Sequence, residues 1–249
     1  MQSRYSLEDI VLNDIECDIL IIEGTISSEY KKADQSIINI INQYASIVKK
    51  IITVGTCATF GGIFRQSGYS YATGLHFDQD KPTFLFQHIK DKTISLSGCP
   101  IQPEPLANIL YSIKEDINLS LDNFNRPSEY FSYTIHNGCT RNEYFEYKVD
   151  NHNFGKKEGC MFYDHGCHAP YTQGSCNKIL WNETSSKTRN GEPCHGCTNP
   201  TFPTANLFKT KKNMGIPQHL PIGISKRAYL TLAGVTKAFK IKRLEEDLF

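Results

Sequence analysis

Short apolar runs alternate with amphipathic segments in the first half of the chain. Residues 18–26 hold a short apolar run with β-branched side chains, which predicts a buried parallel strand that ends at Glu23 and Gly24. Residues 51–54 are predicted to form the next strand. Between them, residues 33–49 space isoleucine, tyrosine and valine along one face of a helix. A further strand over 93–97 and a helix over 103–113, opened near prolines, repeat the pattern. The alternation predicts an α/β layer with a mainly parallel sheet.

The second half of the chain lacks this periodicity. Residues 126–206 are rich in Asn, Gly, Pro, aromatic residues and Cys, which predicts short helices and long loops around metal sites rather than a self-sufficient core. A polar segment at 115–127 marks the expected boundary, so the predicted domains are 1–125 and 126–249. From residue 213 onward, two proline turns precede an expected basic amphipathic helix.

Composition and charge exclude several classes of function. Lys plus Arg number 27 against 26 for Asp plus Glu, so no global charge indicates nucleic acid or a membrane surface. No apolar run reaches about 18 residues, so no transmembrane segment is expected. The first residues hold no apolar signal core and no twin arginine. The expected location is a reducing compartment, the cytoplasm.

The chain contains nine cysteines, an odd and high number that argues for metal or cluster ligation rather than a disulfide framework. Six of them follow a histidine at short spacings within residues 136–197. Four donors suit a 4Fe–4S cluster: His136, Cys139, Cys160 and Cys167. Three more suit a 3Fe–4S cluster, or a 4Fe–4S cluster with another ligand: Cys176, Cys194 and Cys197.

Zinc is the competing interpretation of these donors. His136 and Cys139 could pair with Cys194 and Cys197 at a structural zinc site. That choice leaves three cysteines of the same stretch without a role, namely Cys160, Cys167 and Cys176. Iron–sulfur ligation therefore uses the donors more fully.

Two further cysteines follow predicted strands. Cys57 comes just after the strand at 51–54, and Cys99 comes just after the strand at 93–97. The carboxyl ends of strands in an open α/β sheet are where ligands bind, and the flanking glycines let the backbone pass close to a bulky cofactor. Two partly buried thiols near turns remain the alternative.

The residues around these cysteines resemble those of the small, electron-transferring subunit of nickel–iron hydrogenases. The resemblance rests on six segments in this order: GTCATFGG at Cys57, GCP at Cys99, H-x2-C at His136, GCHAPYT at Cys167, CNKILWN at Cys176 and PCHGC at Cys194. CNKILWN, SSKTR at residues 185–189 and the tail from Gly215 are similar to the cytoplasmic uptake and hydrogen-sensing branch.

The resemblance implies a flavodoxin-like parallel sheet followed by an irregular iron–sulfur domain, with three clusters in a row. His136, Cys139, Cys160 and Cys167 match the distal 4Fe–4S ligands. Cys176, Cys194 and Cys197 match the medial ligands, and Cys57 with Cys99 match two of four ligands of an additional proximal 4Fe–4S cluster. The implied partners are a large subunit that carries the nickel–iron centre and an electron acceptor, either a protein or a quinone-linked carrier, through which the chain would associate with a membrane.

The sequence departs from the family at its start. The family supplies the other proximal ligands from an N-terminal C-x2-C loop, and this chain has none, since Cys17 is single. The expectation is an N-terminally truncated chain with an incomplete flavodoxin-like sheet and an incomplete proximal site. The alternative function is a non-catalytic or degenerate scaffold that binds a cluster or zinc.

Overall fold

The computed structural model describes residues 17–32, 34–68 and 71–208, with isolated positions at 225, 228, 231, 232 and 235. Contacts divide the chain into a first unit, Met1–Tyr130 with Cys197–Thr204, and a second unit, Phe131–Gly196 with Ala205–Phe249. The predicted C-terminal helix lies outside the described residues apart from the isolated positions.

A three-stranded parallel sheet forms the centre of the first unit. The strands, in chain order, are β1 (Ile19–Glu23), β2 (Ile26–Ser27), β3 (Lys31–Lys32), β4 (Gln35–Ser36), β5 (Lys50–Val54), β6 (Ala72–Thr73), β7 (Phe77–Asp78), β8 (Lys81–Pro82) and β9 (Thr93–Leu96). The central sheet has the order β1-β5-β9, and both pairings are parallel. Ile52 pairs with Ile21 on one side and with Ile94 on the other. The predicted α/β layer with a mainly parallel sheet is confirmed.

Seven short or medium helices accompany these strands in the described residues. They are α1 (Ile37–Ile47), α2 (Gly55–Phe60), α3 (Gly62–Gln66), α4 (Pro103–Lys114), α5 (Ser128–Phe131), α6 (Asn142–Glu146) and α7 (Phe162–His165), with 3-10 turns at Gln87–Lys92, Ile135–Gly138 and Ala169–Tyr171. α1 starts four residues later than the predicted segment because Ser36 caps it, accepting the Ile38 N–H at 3.3 Å. α1 then buries Ile40, Ile41 and Tyr44, as its periodicity predicts.

β1 ends at Glu23, where the sequence predicts the end of the first strand, but most of its residues are half-buried or exposed and not buried as predicted. Gly24 has a φ of 89°, a left-handed conformation that ends β1. Ile26 begins β2, which pairs with β6 in antiparallel fashion. The predicted strands at 51–54 and 93–97 and the predicted helix at 103–113 lie within one residue of the observed β5, β9 and α4.

The second unit consists of short helices and 3-10 turns joined by loops, as its composition predicts. It nevertheless has an apolar cluster of its own, in which the cysteines are embedded. The buried members are Ile135, Phe145, Cys160, Met161, Phe162, Cys167, Ala169 and Cys194. Within the described ranges, no helix combines the length and apolarity needed to cross a membrane.

Residues 197–204 group with the first unit, whereas the sequence placed them in the domain 126–249. The Thr56 hydroxyl donates to the Cys197 carbonyl. The Ser97 hydroxyl donates to the Thr198 carbonyl at 3.1 Å, and the Gln66 amide donates to the Thr201 carbonyl at 3.0 Å. These bonds hold the segment by its main-chain carbonyls, which have no sequence signature.

Candidate metal centre

Four predicted donors line one cavity in the second unit. His136 lies in the 3-10 turn Ile135–Gly138, with Cys139 directly after it, and Cys160 and Cys167 flank α7. The cavity has an empty volume of about 290 Å³, part of which opens to solvent. Its wall contains all four side chains together with apolar groups, which include Phe145, Phe162 and Pro170. We refer to this space as the donor cavity.

Local hydrogen bonds position each donor. The Ile135 N–H donates to the Thr172 carbonyl at 2.8 Å and fixes the turn that carries His136. The Cys160 N–H donates to the Val149 carbonyl at 2.7 Å, and the Asn151 N–H donates to the Cys160 carbonyl at 2.8 Å. Gly166, with a φ of 62°, ends α7 in the left-handed conformation and brings Cys167 back to the cavity.

The His136 imidazole fits the role of a neutral ligand. Its Nε2 is buried and has no hydrogen-bond partner among the described residues. Its ring meets Phe145 edge-on, with 4.5 Å between centroids. Burial and the nearby Lys148 cation lower the pKa of His136 to about 4, so the nitrogen lone pair is available at neutral pH. A buried, unpartnered nitrogen is costly unless a bound group satisfies it.

The buried thiols need a cation to ionise them. Burial raises the pKa of Cys160 to about 12 and that of Cys167 to about 11. Without a metal these thiols are therefore protonated at neutral pH, and ligation releases their protons. The Cys194 N–H donates to Cys167 Sγ at 3.3 Å, and the Arg141 N–H donates to Cys139 Sγ at 3.4 Å.

The donors surround a space rather than converging on one point. In the described part of the chain, no three His, Cys, Asp or Glu side chains gather closely enough to hold a single metal ion. A tetrahedral zinc site needs ligands about 2.0–2.3 Å from one ion, whereas an iron–sulfur cluster spreads its thiolates over several iron atoms. His136, Cys139, Cys160 and Cys167 line the donor cavity together, an arrangement that suits a cluster with several iron atoms.

The predicted medial ligands are divided between the units. Cys176 and Cys194 belong to the second unit, where Cys176 is half-buried and packs against the cluster that contains buried Cys194. Cys197 groups with the first unit. The medial ligand set stays a prediction.

The predicted proximal cysteines are connected through their neighbours at the carboxyl edge of the sheet. Cys57 is half-buried in α2, which follows β5, and Cys99 is exposed after β9. The Thr56 N–H donates to the Gly98 carbonyl, and the Gly98 N–H donates to Thr56 Oγ1, both at 2.9 Å. Thr56, which precedes Cys57, and Gly98, which precedes Cys99, are thus hydrogen-bonded to each other.

Sequence reasoning missed two buried polar residues at the site. Arg141 lines the donor cavity, and Asn177 joins the segments around Cys176 and His136. Lys187 and Arg189, which lie in the SSKTR segment, are both exposed. The available signal for Arg141 was its place two residues after Cys139.

Two protein-family models match separate parts of the chain. Residues 131–209 match the family described as the C-terminal part of the NiFe/NiFeSe hydrogenase small subunit, and residues 2–113 match the family described as NADH ubiquinone oxidoreductase, 20 Kd subunit. The chain is 33% identical over 193 residues to periplasmic NiFe hydrogenase small subunit 1 of Nitratidesulfovibrio vulgaris, which covers 74% of this chain and 59% of that protein.

A second relative is the quinone-reactive Ni/Fe-hydrogenase small chain of Wolinella succinogenes. It is 31% identical over 158 residues, or 61% of this chain and 42% of that protein. Among solved structures, the recombinant NiFeSe hydrogenase from Desulfovibrio vulgaris Hildenborough gives a TM-score of 0.61 at 25% identity, over 74% of this chain and 71% of that one. The actinobacterial-type NiFe-hydrogenase from Ralstonia eutropha shares the fold, with a TM-score of 0.70 at 20% identity over 99% of this chain and 78% of that one.

The first unit is an α/β unit, and the second is a cysteine-rich unit that contains the donor cavity. Residues 131–209 thus match the C-terminal family of NiFe and NiFeSe hydrogenase small subunits, and the chain is similar to the small subunits of NiFe hydrogenases. The chain spans about 59% of the length of the first of these relatives.

Proposed function

We propose that this chain is the electron-transferring small subunit of a NiFe hydrogenase. The supporting observation is the donor cavity, in which one unpartnered imidazole and three thiols line a common space. An iron–sulfur cluster bound there would accept and release single electrons. The chain's own residues hold the cluster through His136, Cys139, Cys160 and Cys167, and the aromatic rings of Phe145 and Phe162 restrict water.

The remaining cluster assignments are proposals of the same kind. Cys176, Cys194 and Cys197 would hold a medial 3Fe–4S or 4Fe–4S cluster. Cys57 and Cys99 would hold two corners of a proximal 4Fe–4S cluster, next to a large subunit that carries the nickel–iron centre. Similarity to hydrogenase small subunits supports the hydrogenase assignment, and one of these relatives is a quinone-reactive hydrogenase small chain.

The finer assignment is to the cytoplasmic uptake or hydrogen-sensing branch. It rests on the CNKILWN and SSKTR segments, whereas the first relative is named as periplasmic. We propose a cytoplasmic location with a redox protein or quinone-linked carrier as acceptor. Cell fractionation, with anaerobic purification of the tagged chain and identification of the proteins that co-purify with it, tests these points together. A periplasmic pool that contains all of the protein would contradict the cytoplasmic assignment.

Iron analysis of the purified chain tests the cluster assignment. The protein is reconstituted anaerobically, and its iron and zinc contents are compared with those of Cys160→Ser and Cys17→Ser. Cys160 is buried in the cavity wall, whereas Cys17 is exposed and belongs to no predicted ligand set. We expect Cys160→Ser to lose iron and Cys17→Ser to keep it. Stoichiometric zinc without iron in the wild-type protein would favour the scaffold alternative.

A further inference from the structure

A buried guanidinium lies in the wall of the donor cavity. Arg141 lines the cavity together with the four predicted distal ligands, and 3% of its surface is exposed. It stands two residues after Cys139, and its backbone N–H donates to Cys139 Sγ at 3.4 Å. The positive charge is therefore held beside the thiol donors and away from solvent.

Hydrogen bonds to main-chain carbonyls hold this side chain in place. Nε donates to the Thr188 carbonyl at 2.6 Å. Nη1 donates to the carbonyls of Glu158 at 3.1 Å and Gly159 at 2.7 Å, and Nη2 donates to the Lys156 carbonyl. The guanidinium is thus fixed by acceptors that carry no net charge.

Arg141 lacks the partner that buried arginines normally have. None of the ion pairs of the described residues includes it. Arg126, which is also buried, forms an ion pair with the Asp122 carboxylate at 2.8 Å. A buried cation without an anion is costly, so its retention indicates that the working protein supplies a negative charge nearby.

Iron ligation supplies that charge. Cys139, Cys160 and Cys167 lie within electrostatic reach of the guanidinium. Each becomes a thiolate when it binds iron, so the cavity gains negative charge on loading. Reduction of a cluster in the cavity adds one further negative charge at the same place.

We propose that Arg141 is a fixed counter-cation of the distal site, which stabilises the thiolate-bound cluster and raises its reduction potential. The inference rests on the proposed function, because it requires a cluster in the donor cavity. A nearby positive charge stabilises the reduced cluster more than the oxidised one. Since the guanidinium is buried, salt screens this interaction less than it would screen an exposed pair. Arg141 is a positioning and tuning residue and does not ligate iron.

The midpoint potential of the distal cluster tests the proposal. Wild-type protein, Arg141→Gln, Arg141→Lys and Arg189→Gln are reconstituted anaerobically and titrated with dithionite, with the paramagnetic signal recorded by EPR. Arg141→Gln should lower the equilibrium constant for reduction at least tenfold, which is about 59 mV for a one-electron couple. Arg141→Lys keeps the charge and should retain most of the potential. Arg189 is exposed in the same unit, so Arg189→Gln should leave the potential unchanged.

These outcomes distinguish an electrostatic role of Arg141 from a purely structural one. Equal shifts in Arg141→Gln and Arg141→Lys, or an unshifted Arg141→Gln, would overturn the proposal, and so would a shift of the same size in Arg189→Gln. If Arg141→Gln fails to retain iron, Arg141→Lys is the variant that tests the proposal. The proposal requires the equilibrium constant for reduction of Arg141→Lys to stay within tenfold of the wild-type value. A wild-type protein that takes up no cluster removes the proposed function and this inference together, whereas a loaded wild type with an unshifted Arg141→Gln removes only this inference.

Discussion

Replacement of Asn177 by alanine should destabilise the second unit strongly. Asn177 is 3% exposed, and its Oδ1 accepts the hydroxyls of Ser186 at 2.5 Å and Thr188 at 2.8 Å. Its Nδ2 donates to the Ile135 carbonyl at 2.9 Å. Because Asn177 follows Cys176 and Ile135 precedes His136, one side chain joins two ligand-bearing segments.

The magnitude follows from these three bonds. Each intramolecular hydrogen bond contributes about 1 kcal/mol, and a buried group left unpaired costs about 1–3 kcal/mol. The Ser186 and Thr188 hydroxyls have each other as a second partner at 3.4 Å, which limits the loss. Asn177→Ala should therefore lower the free energy of unfolding by about 3 kcal/mol.

Urea denaturation followed by tryptophan fluorescence measures this change. The single tryptophan, Trp181, lies in the second unit and reports on that unit directly. Asn142→Ala is the matched control, because Asn142 is exposed in the same unit. Its free energy of unfolding should change by less than about 0.5 kcal/mol. An Asn177→Ala midpoint equal to that of wild type, at an equal slope, would refute the reasoning.

Three further predictions concern the first unit. Burial lowers the pKa of His76 from 6.5 to about 4, so between these pH values the unfolded chain binds a proton that the folded chain does not. The free energy of unfolding should therefore fall by up to about 3 kcal/mol as the pH drops from 6.5 to 4. His76→Leu should flatten this dependence on pH. Arg126→Met breaks the buried ion pair with Asp122 and should cost about 3 kcal/mol in chemical denaturation. Gly74→Ala places a Cβ 2.1 Å from the Thr59 carbonyl oxygen and should lower the thermal midpoint, with a loss of about 2 kcal/mol.

Matched controls accompany these variants. His88 is exposed, so His88→Leu should leave most of the pH dependence in place. Arg126→Lys should recover part of the loss seen in Arg126→Met, because it keeps the charge beside Asp122. Gly68 has open space around its Cβ position, although its φ of 94° adds strain of its own, so Gly68→Ala gives the cost of backbone strain without a clash. A Gly74→Ala midpoint above that of Gly68→Ala would contradict the steric argument.

The sequence predicts the central sheet well because the signals are local. β1 and β5 lie in short apolar runs, and β9 is the short segment Thr-Ile-Ser-Leu before a glycine. α1 has a clear helical period, and α4 begins at prolines. The two-residue strands such as β2 and β6 were not predicted, since they form only where distant segments meet. The grouping of residues 197–204 with the first unit also depends on distant carbonyl contacts, as at Thr198.

Prediction of the site was uneven for the same reason. Cysteine spacing and the surrounding segments identified the four side chains that the structure places around the donor cavity. Spacing does not show that Arg141 turns inward or that Asn177 bridges two loops, because both depend on the folded path of the chain.

Pulsed EPR of the reduced protein tests the central claim most directly. If the donor cavity holds an iron–sulfur cluster with His136 as one ligand, the paramagnetic signal should carry a nitrogen coupling from the imidazole. His136→Cys should keep the iron and lose that coupling. A wild-type protein without a paramagnetic iron signal after anaerobic reduction, or a nitrogen coupling that survives in His136→Cys, would contradict the account.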